Sequence, residues 1–360
     1  MTLLQFIAGL VLLIAGAELL VRGASRLAAA IGIAPLVIGL TVVAWGTSAP
    51  EVAVSLQASL DGRADLAVGN AVGSNILNVL VVLGASAALA PVVVSRQLVR
   101  VEVPLMVGVS LALWALAADH AISRAEGGAF LLGMAAYTWL QVAMARREAR
   151  RGAGTTAAAG APPAGRRGAG WLANAALVAV GLVLLVAGAR WLLAAAVVFA
   201  RNLGVGELVI GLTIVALGTS LPEVATSIVA SVRGERDIAV GNIVGSCIFN
   251  VLMVLGSAAA VSPGGLEIAA GVLDFDLPVM VAAAVACLPI LFTGHRIARW
   301  EGFLFLGYYA AYTAYLVLAS TRHAALPAFS TAMAWFVLPL TAVTLAVSVA
   351  RTLRQPRPAA

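Results

Sequence analysis

The sequence predicts an all-α polytopic membrane protein: two five-helix halves, inverted relative to each other, forming a ten-helix core, with one extra C-terminal helix. Three observations lead there. The 360 residues are 62% hydrophobic and only 11% charged, too apolar for a soluble domain of that length. The chain divides into apolar stretches of the ~20 residues that a helix needs to cross a bilayer. A stretch of sequence also occurs twice, at 39–84 and again at 211–256, with an odd number of spans between the copies.

The elements follow in order. Spans are predicted at 3–21, 33–60, 66–90, 101–118 and 127–145 in the first half, and at 171–199, 205–232, 238–261, 275–293 and 300–319 in the second. The first is too long, and too unlike a cleavage site, for a signal peptide, so it is expected to be retained. Residues 1–145 and 171–319 are therefore the two halves. Between them, 146–170 is rich in Gly, Ala, Pro and Arg, lacks an apolar period, and is expected to be a flexible cytoplasmic linker. The eleventh span, 331–350, has no partner in the repeat.

Every one of the 22 basic residues is arginine. With the N-terminus outside, seventeen fall in inside loops and the C-terminal tail, four in outside loops, and Arg190 within a span. Positive residues are retained on the cytoplasmic side, so the N-terminus is expected outside and the C-terminus inside, in the plasma (inner) membrane. The same distribution excludes a nucleic-acid patch despite the net charge of +6. Cys247 and Cys287 lie in different spans and read as small packed residues, with no disulfide framework or zinc site.

The two copies share 31 identities in 46 ungapped positions, including Gly, Pro, Glu, Ser and Asn, which low-complexity apolar sequence would not match. They stand five spans apart, so the second crosses the membrane in the opposite direction. Inverted repeats are the architecture of secondary transporters, which bind substrate near the midplane where the halves meet.

Each copy carries GTSxPE at mid-span, at 46–51 and 218–223. Proline withdraws a helical donor and crowds the carbonyl four residues back. Pro50 and Pro222 should thus free the carbonyls of Gly46 and Gly218, and the glycines ease the bend. Thr47, Ser48, Thr219 and Ser220 add hydroxyls, and Glu51 and Glu223 add carboxylates. The set is all oxygen, which suits hard cations such as Ca²⁺ and Na⁺ rather than zinc or copper. A kink with a protonated glutamate is the plainer reading. A charge at the bilayer centre costs roughly 2.5–3.5 kcal/mol and marks function, and no arginine is predicted at matching depth, so the pair favours a cation site.

The next span of each copy reads GNxxGSxIxN: Gly69, Asn70, Gly73, Ser74 and Asn78, then Gly241, Asn242, Gly245, Ser246 and Asn250. Glycines four apart let another helix approach. Asn70 and Asn242 read as interhelical hydrogen-bonding residues. Ser74 with Asn78, and Ser246 with Asn250, each share a helix face and would extend the oxygen cage.

These paired GTSxPE and GNxxGSxIxN segments closely resemble the two α-repeats of the cation/calcium antiporter superfamily, nearest the prokaryotic sodium/calcium exchangers. The repeats cover about a quarter of the chain. The resemblance implies a ten-span core, alternating access, and Ca²⁺ with Na⁺ or H⁺ as transported ions, with no cofactor. It also implies ion ligands at Glu51, Glu223, Ser48, Ser220, Thr47, Thr219, Ser74, Ser246, Asn78 and Asn250, with backbone carbonyls at Ala44 and Ala216. Two departures stand out. Many such exchangers carry Asp where this chain has Asn250, leaving two central carboxylates, which balance one Ca²⁺ but leave the coupling ion open. The eleventh span is the other.

Other classes fit less well. The three histidines, His120, His295 and His323, fall in predicted loops away from the repeats, which argues against an intramembrane enzyme. No arginine or aromatic cluster lies beside the site to hold an organic solute. A passive cation channel could use the same cage, but inverted symmetry favours a transporter. Asp65 and Asp237 read as helix N-caps, and Glu18, Glu102, Asp274 and Asp276 as packing or access-path residues.

Overall fold

A computed structural model describes residues 2–31, 33–156, 167–203, 216–292 and 296–354. The first half comprises α1 (Thr2–Ile31), α2 (Pro35–Thr47), α3 (Ala49–Leu60), α4 (Ala64–Leu89), α5 (Leu98–Asp119) and α6 (Arg124–Thr156). The second comprises α7 (Arg167–Asn202), α8 (Ala216–Thr219), α9 (Leu221–Val232), α10 (Arg236–Val261), α11 (Val272–Leu291) and α12 (Arg299–Ser320), followed by α13 (Leu326–Val347). Among the described residues nine helices are long and apolar enough to cross a membrane, and the bent pair α2–α3 makes ten. The first part of predicted span 205–232 lies outside the described residues, as does 157–166 of the expected linker. The rest of that linker departs from expectation. Helix α6 runs through to Thr156 and α7 begins at Arg167, because Ala, Arg and Glu in ARREARR are strong helix formers, while the prolines sit between the two helices at 162–163.

The halves are joined by their first helices. Helices α1 and α7 run antiparallel, with Gly9 against Gly188 and Gly16 against Gly181. A Cβ on any of these four would lie 2.5–2.6 Å from a backbone nitrogen of the other helix, so only glycine permits this approach. At one end of the pair, Glu18 binds both Arg22 and Arg233, and Ser25 donates to Glu235 at 2.7 Å.

Two-fold pseudo-symmetry extends well beyond the repeated 46 residues. Strand β1 (Val92–Val93) pairs antiparallel with β4 (Arg296–Ile297), and β2 (Ala121–Ile122) with β3 (Leu266–Glu267). Tyr137 donates to Glu102 at 3.2 Å in one half, and Tyr312 to Asp276 at 2.9 Å in the other. Each carboxylate lies in a short π-helical stretch, Leu98–Glu102 or Val272–Asp276. Gln141 and Gln97 also bond Glu102. Both carboxylates, like Glu18, therefore pack against named partners. Asp65 and Asp237 are not N-caps: Arg63 and Glu235 take those positions, and the aspartates sit in the first turn, where the helix dipole favours negative charge.

Helices α4 and α10 occupy the centre. Residues from both dominate the larger core cluster, and α10 is buried along most of its length. Gly241 and Gly245 bring α10 onto α2, where an added Cβ would sit 2.9 and 2.8 Å from the carbonyls of Leu36 and Leu40.

Candidate ion-binding site

Helices α2 and α3 meet at Ser48, whose φ of −84° and ψ of 7° interrupt the helix, and the two segments bend by 44°. Ser220 does the same between α8 and α9, with φ −91° and ψ 8°. Pro50 and Pro222 stand in the first turn of the helix after each break, where the missing N–H costs no helical bond. Gly46 and Gly218 lie in the helix before the break. A Cβ there would reach within 2.5 Å of the Leu182 side chain or 2.6 Å of that of Leu193, so these glycines admit leucines of α7. The Ala44 carbonyl accepts from the Ser48 N–H at 3.0 Å and lies 3.3 Å from the Thr47 hydroxyl oxygen. Ala216 opens α8.

The breaks bring Glu51 and Glu223, both in the first turn of a helix, to the centre, where both are buried. Each is held by the other half. Ser48 donates to Glu223 Oε1 at 2.9 Å and lies 3.0 Å from Ser246 Oγ. Ser220 donates to Glu51 Oε1 at 3.2 Å and lies 3.0 Å from Ser74 Oγ. One bond further out, Thr47 donates to Asn242 Oδ1 at 3.0 Å and Thr219 to Asn70 Oδ1 at 3.3 Å. Asn70 and Asn242 then donate to Ser55 and Ser227 at 2.9 and 3.0 Å. Asn78 and Asn250 each open a six-residue π-helical turn, Asn78–Leu83 and Asn250–Leu255, a local widening often found at functional sites.

Buried polar atoms are almost always partnered, so the exceptions are informative. Among the described residues nine buried side-chain atoms lack a hydrogen-bond partner; Ser86, Gln141, Thr226 and Ser231 supply one each, and the other five are Glu51 Oε2, Glu223 Oε2, Asn250 Oδ1 and both polar atoms of Asn78. Two carboxylate oxygens and the amide oxygens of two facing helices are thus left free, and among the described residues no arginine pairs with either glutamate. Such an arrangement accommodates a desolvated cation through oxygen alone.

Residues 1–143 and 173–318 match the family described as sodium/calcium exchanger protein. The chain belongs to this family. It is 43% identical to the CaxA protein of Alkalimonas amylolytica over 318 residues, covering 87% of this chain and 98% of that one. It is 42% identical to the inner membrane protein YrbG of Escherichia coli over 283 residues, 78% of this chain and 86% of that one. Among solved structures it resembles the sodium-calcium exchanger NCX_Mj soaked with Na⁺ and Ca²⁺, at TM-score 0.74 and 28% identity, covering 87% of this chain and 97% of that one.

Within this exchanger fold the two breaks gather Glu51, Glu223, Ser48, Ser220, Ser74 and Ser246 into one hydrogen-bonded group spanning both halves. Thr47 and Thr219 stand one hydrogen bond outward, on Asn242 and Asn70. Sequence reasoning passed over Asn75, which accepts from Asn250 Nδ2 at 3.0 Å. The signal was available: Asn75 is one of the few polar positions at which the repeats differ, with Cys247 as its counterpart. The eleventh span lies beyond the family match.

Proposed function

We propose that this protein is a secondary-active antiporter that exchanges Ca²⁺ for Na⁺ by alternating access, with Glu51, Glu223, Ser48, Ser220, Ser74, Ser246, Asn78 and Asn250 forming its ion cage. Thr47, Thr219 and the carbonyls of Ala44 and Ala216 complete the set implied by the family resemblance. The observation that carries the reading is the group of unpartnered, buried oxygens on Glu51, Glu223, Asn78 and Asn250, drawn from both inverted halves. Calcium takes 6–8 oxygens at about 2.3–2.6 Å and favours carboxylates with neutral oxygens around them. Two carboxylates balance one Ca²⁺ or two monovalent cations, so the site stays neutral in hydrocarbon with either load, as an exchanger requires. The serines hold one oxygen of each carboxylate and leave the other for the ion. Because each serine belongs to the half opposite its glutamate, movement of one half against the other remodels the cage. The arginine bias supports an orientation with the N-terminus outside, in the plasma membrane.

Calcium uptake into proteoliposomes tests this. Uptake should follow an outward sodium gradient and cease when internal sodium is replaced by choline. Uptake driven by a proton gradient alone would assign the same cage to Ca²⁺/H⁺ exchange. Uptake that needs no counter-ion would make the protein a cation channel and overturn antiport.

A further inference from the structure

The cage is not symmetric, and the asymmetry lies at the position where the repeats differ. Asn75 lies one residue after Ser74, and its counterpart after Ser246 is Cys247. Asn75 donates through Nδ2 to the Cys247 backbone carbonyl at 3.1 Å, with Met280 Sδ also 3.6 Å away. A carbonyl can only accept, so the Asn75 amide is fixed with its nitrogen toward Cys247 and its oxygen on the other side. That oxygen accepts from Asn250 Nδ2 at 3.0 Å. Turning the Asn250 amide over would set two oxygens against each other. The nitrogen of Asn250 is therefore committed, and its oxygen is the atom left buried and unpartnered. The other half has no such device. A thiol is a weak donor and a weak acceptor, the Cys247 sulfur lies 4.0 Å from the Asn75 carbonyl oxygen, and among the described residues Asn78 finds no partner for its amide nitrogen or its oxygen.

We infer that Asn75 is a positioning residue that locks the amide oxygen of Asn250 toward the ion, while Asn78, for which the repeat supplies Cys247 in place of an asparagine, must orient its own amide when an ion arrives. This rests on the ion-cage reading above. One of the two neutral amide ligands is then pre-oriented and the other pays for its orientation on binding. Pre-organisation raises affinity by removing such costs. The same geometry makes the missing lock transferable: asparagine at 247 would present to Asn78 the acceptor that Asn75 presents to Asn250.

The test is equilibrium binding of radiolabelled calcium to purified protein, which does not depend on the coupling ion or on transport. Asn75→Cys should weaken binding, roughly five- to tenfold for one lost orienting hydrogen bond. The loss should vanish in an Asn250→Ala background, since Asn75 acts only through Asn250. The exchange Asn75→Cys with Cys247→Asn should restore affinity by moving the lock to Asn78, a rescue that loss of mere packing would not show. Cys247→Asn alone should tighten binding, and it provides the reading if Asn75→Cys does not fold. Unchanged affinity in folded Asn75→Cys overturns the inference. So does an equal loss with and without Asn250, or a folded Cys247→Asn that binds no tighter. No calcium binding by the parent protein would instead overturn the ion-cage reading itself.

Discussion

Glu51 and Glu223 hold the two central negative charges, and each commits one oxygen to a serine of the opposite half. Replacing either by glutamine keeps the shape and the serine contact but removes a charge. Breaking charge balance in a buried site costs on the order of 3–5 kcal/mol, a factor of a hundred or more in affinity. Glu51→Gln and Glu223→Gln should each nearly abolish calcium exchange in proteoliposomes while eluting as the parent does in size exclusion. Near-parental exchange by either would remove the glutamates from the site. Asn250→Asp makes the opposite change. It sets a third carboxylate in the cage, so a calcium-loaded site carries one excess negative charge that a proton or sodium ion must balance. The ratio of variant to parent exchange should therefore change with pH across the neutral range, and a constant ratio would place Asn250 outside the cage. These residues were legible in the sequence because a carboxylate or amide in an apolar span is costly and demands a reason. Asn75 stands out in the sequence only as a place where the repeats differ; its bond was not legible, because the partner is a carbonyl 172 positions away on another helix.

At the scale of the element, helix breaks were legible and their centres were not. Proline announces a break, but the interruption falls two residues earlier, at Ser48 and Ser220, since proline itself is comfortable in the first turn of a helix. Glycine was ambiguous in the same way. Gly46 and Gly218 make room for leucines of α7, and Gly9, Gly16, Gly181 and Gly188 let α1 and α7 cross at backbone contact. No local rule distinguishes these uses, because what a glycine admits is supplied by another helix. Gly16→Val and Gly188→Val should each force α1 and α7 apart. Overpacking of this kind costs about 1–3 kcal/mol, so the thermal midpoint in detergent should fall, and the joint between the halves should suffer most. Gly108→Val, on an exposed face of α5 where an added Cβ meets nothing within 4 Å, should leave the midpoint unchanged. Equal midpoints for all three would mean that the crossing is not tight.

The whole molecule ties its two halves together on opposite faces, and the ties fix its topology by parity. Loops that touch must lie on the same side, so an even number of spans must separate them. Six predicted spans separate the loops of β1 and β4, four separate those of β2 and β3, and six separate the end of α1 from the loop after α9, where Ser25 meets Glu235. All three counts are even, as loops that touch require. The loop at 61–65 and that at 233–235 then stand one odd count apart, on opposite faces, as inversion of the repeats requires. On the orientation proposed from the arginine bias, 61–65 lies outside and 233–235 in the cytoplasm. Single cysteines at Arg63 and Arg236, both exposed, test both statements in a background with Cys247 and Cys287 replaced by alanine. Arg63→Cys should react with an impermeant maleimide in intact cells, and Arg236→Cys only after permeabilisation. The reverse pattern would keep the inversion and turn the molecule over. Labelling of both from one side would break the parity that the strand pairings impose, and with it the inverted fold.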